Sequence, residues 1–215
     1  MKASPHIVLL HGLARSKHDM FLMAPRLRKL LPGSHIHTFD YHSRRLTIAG
    51  AAEQLRAFVD RITTHEPVSF VGHSLGGIVA RWLDASGGCA APMHRLVTLG
   101  SPHYGATIAK VLSPYSLPRR IYGDVLHELG HLQLQEQPRQ LEIACVVGGT
   151  NRWFGFLPIF GEDNDGVVTA REAHLKTCVT HRHVPIYHTF FPYSRRAADL
   201  AAAFLATGSF DRSGT

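Results

Sequence analysis

The sequence predicts an α/β fold, a mostly parallel sheet of about six strands with helices on both faces. Three observations lead there. Short apolar runs alternate with helical stretches along the chain. The helical stretches are long enough to act as the crossovers that parallel strands need. One strand also passes through a glycine-flanked turn straight into a helix, at Val71-Gly72-His73-Ser74-Leu75-Gly76-Gly77.

Ile7–Leu10 reads as the first strand. Pro25 either opens a short helix through Leu31 or kinks a longer one from Asp19. His35–Phe39 reads as the second strand. Ile48, Ala51, Ala52, Leu55, Phe58, Val59 and Ile62 recur at the three-to-four-residue spacing of one buried helix face. Val68–Val71 is the third strand, and its helix ends at Gly87-Gly88, a C-cap signal. Further strands are expected at Arg95–Leu99, Ile143–Val147 and roughly Arg182–Ile186. Ala197, Leu200, Ala201, Phe204 and Leu205 form a last apolar stripe before Gly208. With no internal repeat and no low-complexity linker, residues 1–215 read as a single domain.

Composition narrows the function classes. With 45% hydrophobic residues the chain can bury a substantial core, and no stretch is long and apolar enough to span a membrane. The N-terminal apolar run is short and lacks a small-residue cleavage site, which argues against a removable export signal and for a cytoplasmic location. Cys89, Cys145 and Cys178 are an odd number without metal-ligand spacing, so free thiols are expected, one disulfide remaining an alternative. The net charge of +7 comes with paired arginines (44–45, 119–120, 195–196) but no long basic run, which favours a solvated surface over a nucleic-acid face. His181 and His183 would share one face of a strand, yet a metal site needs further ligands that the spacing does not identify, so no metal and no cofactor are expected.

The Gly72-His73-Ser74-Leu75-Gly76 turn carries the chemistry. A strand-to-helix turn this tight lets neighbouring backbone crowd the serine, and its hydroxyl projects from the carboxyl edge of the sheet above a helix N-terminus. A serine hydroxyl is a weak nucleophile near neutral pH and needs a base and an orienting acid. A nucleophile on such a turn is followed in chain order by the acid and then the histidine. The acids near a late strand end are Glu162, Asp163 and Asp165. Asp165 is preferred, because Gly166 permits close backbone approach and Val167-Val168 can anchor the loop; the alternative is an acidic turn facing water or capping a helix. Of the later histidines (His174, His181, His183 and His188), His188 follows the last strand and can point back at Ser74; the alternative is a satisfied loop histidine. An oxyanion hole needs two backbone N–H groups. Those of Leu75 and Leu13, the latter in the glycine-permitted turn Leu10-His11-Gly12-Leu13, are the candidates. His11 and His73 are expected to orient backbone rather than carry protons.

Five motifs occur in order: Val8-Leu9-Leu10-His11-Gly12-Leu13, the Ser74 turn, Thr98-Leu99-Gly100-Ser101-Pro102-His103-Tyr104-Gly105, Asp163-Asn164-Asp165-Gly166-Val167-Val168, and His188-Thr189. Together, from about Ile7 to Phe210, they resemble the α/β-hydrolase superfamily. The likeness is to small bacterial α/β-hydrolases of the lipase/esterase type, related to triacylglycerol lipases and more loosely to GPI inositol-deacylases. The resemblance implies a Ser74–His188–Asp165 triad hydrolysing carboxylic esters through an acyl-enzyme intermediate. It also leaves open acyl transfer by the same triad, or a non-catalytic ligand-binding member of the fold. Larger lipases of this group bind calcium through an aspartate just after the histidine. Thr189-Phe190-Phe191 stands there, so that metal is not expected.

Two segments are candidates to shape the substrate. The stretch from about 108 to 140 is longer than a minimal connection and reads as a cap or lid. Trp153, Phe154 and Phe156, beside the proposed acid, read as an acyl pocket or a transient contact with a membrane surface. For both, plain packing is the competing account. The expected partner is a small-molecule or lipid acyl ester, not nucleic acid.

Overall fold

The computed structural model describes residues 5–134, 137–150 and 160–211. Six strands, β1 (His6–Leu10), β2 (His35–Phe39), β3 (Val68–His73), β4 (Met93–Leu99), β5 (Glu142–Gly148) and β6 (Thr180–Val184), form one sheet in the order β2-β1-β3-β4-β5-β6. Every pairing is parallel, with Leu10 of β1 opposite both Phe39 and Gly72. The chain steps outward from β1 to β2, then returns past β1 to β3. Between β1 and β3 the connections therefore diverge to opposite faces, which opens a crevice at the strands' carboxyl ends.

Alternate strand residues feed two cores. On one face Val8, Leu10, Phe70, Leu96, Ile143 and Val147 pack with helices α2 (Ile48–Ile62) and α3 (Leu75–Ala85). On the other, Ile7, Leu9, Val71, Val97, Ala144 and Val146 pack with α1 (Met23–Leu30) and α8 (Arg195–Thr207). Burial on both faces explains why the central strands read as near-continuous apolar runs. Thr47 caps α2 through Gly50 N–H (3.0 Å), and α8 ends on Gly208 in the left-handed conformation at φ 80°. Pro25 lies in the first turn of α1, the short-helix alternative; Lys17–Phe21 forms a separate 3₁₀ turn before it.

One difference from expectation has a local cause. The last strand spans Thr180–Val184 rather than Arg182–Ile186, because Pro185 has no N–H to continue the ladder. Between β4 and β5, the stretch expected to form a cap holds α4 (Thr107–Leu112), α5 (Ser116–Tyr122) and α6 (Val125–Gly130). Val125, Leu126 and Leu129 of α6 join the core, while α5 buries no residue. Two last pieces follow β5: α7 (Ala170–Ala173) and a 3₁₀ turn over His188–Tyr193. Among the described residues, no helix is long and apolar enough to cross a membrane.

Candidate active site

Ser74 stands between β3 and α3 with φ 53° and ψ −121°. For a residue with a side chain this is sparsely populated backbone, costing on the order of 1–3 kcal/mol, and it persists because its surroundings dictate it. Ser74 N–H donates to the Leu99 carbonyl (3.0 Å), and the Ser74 carbonyl accepts from Gly77 N–H (3.1 Å). A β-carbon at Gly76 would sit 2.6 Å from the Leu10 carbonyl oxygen and 2.8 Å from that of His11. Only glycine allows β1 and α3 to close on the turn from that side.

Asp165 and His188 meet, and His188 lines the same cleft as Ser74. His188 Nδ1 lies 2.7 Å from Asp165 Oδ2, with the two side chains 9% and 1% exposed. The other carboxylate oxygen, Oδ1, accepts from Val167 N–H (3.0 Å) and Val168 N–H (2.7 Å). His188 is also fixed through its backbone: its N–H donates to the Asp165 carbonyl (2.9 Å), and its carbonyl accepts from His73 Nε2–H (3.0 Å). The neighbouring acids have other partners. Asp163 accepts from Thr150 N–H (2.8 Å), and Glu162 pairs with Arg171 (3.0 Å). His174, His181 and His183 do not share the cleft that Ser74 lines; the His181 ring lies 4.1 Å from that of His174 and 6.1 Å from that of His183.

Ser74, His188, Gly12 and Leu13 line one cleft of about 810 Å³. A β-carbon at Gly12 would lie 3.2 Å from Ser74 Cβ, so the turn after β1 lies against the serine and brings the backbone of Leu13 beside it. Leu75 is the first residue of α3, where N–H groups have no partner within the helix. The apolar wall of the cleft comes from Ile108, Leu112, Leu126 and Leu129 of the inserted helices. Trp153, Phe154 and Phe156 lie outside the described residues.

His11 and His73 are held neutral. Burial pushes both imidazoles below their ordinary value, most strongly His73, which the neighbouring His188 pushes further. His11 Nδ1–H donates to the Gly12 carbonyl (2.8 Å), and its Nε2 accepts from Tyr41 N–H (3.3 Å), with the two rings stacked 4.3 Å apart. Each therefore orients a backbone segment of the site. That His73 grips the His188 carbonyl was not readable from the chain, because the two are 115 positions apart. Among the described residues, potential metal ligands converge only at His174, Cys178 and His181, none of which lines this cleft.

The profile of the palmitoyl protein thioesterase family matches residues 6–137. The chain belongs to that family. Among solved structures, this thioesterase-family chain is similar to the mature form of the lipase BlEst2 from Bacillus licheniformis, at 25% identity and a TM-score of 0.68 over 87% of this chain and 86% of that one. The lin2722 gene product of Listeria innocua shares the fold at 15% identity and a TM-score of 0.62, over 99% and 97% of the two chains. Phospholipase PlaB of Legionella pneumophila does so at 16% identity and a TM-score of 0.59, over 79% of this chain and 45% of that one. No curated protein matches the chain. The α/β-hydrolase membership expected from the motifs is borne out, and this member of the palmitoyl protein thioesterase family is a hydrolase of the lipase/esterase type.

Proposed function

We propose that the chain cleaves carboxylic esters through a covalent acyl-enzyme on Ser74, with His188 as base and acid and Asp165 as its orienting partner. The observation that carries this reading is the 2.7 Å contact between His188 Nδ1 and a doubly anchored Asp165 carboxylate, in the cleft that also holds the strained Ser74. An acceptor carboxylate fixes Nδ1 as the protonated nitrogen, which leaves the Nε2 lone pair to take the serine proton. Ser74 Oγ then attacks the carbonyl carbon, and the developing oxyanion is held by the Leu13 and Leu75 N–H groups. His188 returns the proton to the leaving alcohol as the ester bond breaks. Water, deprotonated by the same imidazole, releases the acid and restores the serine.

Ser74→Ala is expected to lower turnover of p-nitrophenyl butyrate by at least about 10⁴-fold with an unchanged melting profile. A fluorophosphonate probe should label the unmodified protein and not the variant. Retained turnover in the variant would exclude this nucleophile.

A second reading follows from the family match. A thioester carbonyl is attacked by the same serine, and a thiolate is a better leaving group than an alkoxide. If long-chain thioesters are the preferred substrate, kcat/KM for a palmitoyl thioester will exceed that for the matched oxygen ester. Val111, Tyr115, Leu117 and Ile121 are large exposed apolar side chains on or beside α4 and α5, the helices at the cleft. They support a transient contact with a lipid surface. Such contact predicts a rise in rate as a short-chain triglyceride passes its solubility limit.

A further inference from the structure

We infer that His174, Cys178 and His181 form a binding site for a zinc-class divalent cation, outside the hydrolytic cleft and independent of it. One nitrogen or sulfur of each lies within 4.8 Å of the others. The rings of His174 and His181 approach to 4.1 Å between centroids, tilted 39° to each other. Zinc bonds of about 2.0–2.3 Å in a tetrahedron place donors about 3.3–3.8 Å apart, so the trio needs to contract by about 1.5 Å at most, within the reach of ring and thiol rotation.

The local fold explains the convergence. His174 ends α7, Cys178 lies in a turn closed by its N–H on the Leu175 carbonyl (3.1 Å), and His181 stands on β6 opposite Cys145 of β5. The turn is pinned to the sheet by Val179 N–H on the Ile143 carbonyl (2.8 Å). Behind the cluster the buried Cys145 thiol is hydrogen-bonded to that of Cys178 and lies 3.5 Å from His103 Nε2. Cationic side chains adjacent in sequence are engaged elsewhere: Arg171 on Glu162 (3.0 Å), Lys176 over the Tyr104 ring (5.9 Å) and Arg182 on Asp211 (2.6 Å).

Two imidazoles and a thiolate are a borderline-soft donor set, suited to zinc rather than to calcium or magnesium. On binding, the Cys178 thiol loses its proton to solvent and both imidazoles coordinate as neutral donors. Because His181 is exposed, the fourth position faces solvent and takes water or an exogenous ligand. The bound ion would tie the α7–β6 connection to the sheet.

Cobalt(II) titrated into the reduced, metal-free full chain tests the site, because a tetrahedral cobalt–thiolate centre gives a near-ultraviolet charge-transfer band and strong visible absorption. One equivalent per chain is expected. The band should vanish in Cys178→Ser and in the separate edge-strand variant His181→Asn, and persist in Cys89→Ser and Cys145→Ser. Zinc should displace the cobalt and raise the melting midpoint of the unmodified chain but not of His181→Asn. Absence of a stoichiometric band, its survival in Cys178→Ser, or its dependence on Cys145 in place of Cys178 would each overturn the assignment. So would oxidation of Cys145 and Cys178 to a disulfide under conditions in which reduced protein takes up no metal.

Discussion

Both Asp165 carboxylate oxygens accept inside the site, one from Val167 and Val168, the other from His188. Asp165→Asn keeps the first pair of bonds but turns an N–H toward His188, which favours the tautomer with its proton on Nε2. Turnover is therefore expected to fall about 10³–10⁴-fold while the melting midpoint moves little, as read from kcat/KM and a thermal scan. A loss below tenfold would remove Asp165 from the mechanism. That Asp165, rather than Glu162 or Asp163, meets His188 was legible because Gly166 and the two valines mark a loop that turns back onto the core. The hold of His73 on His188 was not, since it joins distant loops through a backbone carbonyl that any residue could present.

At the scale of elements, Glu172 couples the acid loop to the inserted helices. Its Oε2 accepts from Thr169 N–H (2.9 Å), completing the capping box of α7, and its Oε1 accepts from the backbone N–H of Thr107 (2.6 Å), which opens α4. Its carbonyl takes His103 N–H (2.7 Å). Glu172→Ala keeps the carbonyl but leaves the Thr169 and Thr107 N–H groups unpartnered in a largely buried place, and should cost about 1–3 kcal/mol of stability, measured by urea unfolding. The α4 end of the cleft should loosen with it, raising KM for long-chain more than for short-chain esters. Equal effects on both would show that α4 does not shape the acyl site. Strands and long helices were legible in the sequence because they bury one face or two. The inserted helices were not, because α5 buries nothing and carries Pro118 in its first turn, so its apolar spacing has no core to report. The edge strand β6 slipped for the same reason: only Val184 of its five residues is fully buried.

For the whole molecule, histidines set the response to acid. Burial holds His11, His37, His73, His94, His174 and His183 below the ordinary imidazole value. His11 and His73, with 0% and 1% exposure, are the pair whose neutrality the fold enforces. In the unfolded chain each would bind a proton as pH falls through about 6.5. The unfolded state then holds more protons than the folded one, so stability falls with falling pH and is fully present only above that value. Each buried site adds a slope of up to about 1.4 kcal/mol per pH unit between its folded and unfolded pKa values. Urea midpoints in metal-free buffer should be flat from about pH 8 to 7 and then decline toward pH 5, before most carboxylates titrate. His73→Gln keeps an N–H donor for the His188 carbonyl and removes one titration, so its decline should be shallower by close to one proton, whatever its stability at pH 8. A slope equal to that of the unmodified chain would mean that His73 is already protonated when folded, and the His188 carbonyl would then be gripped by an imidazolium.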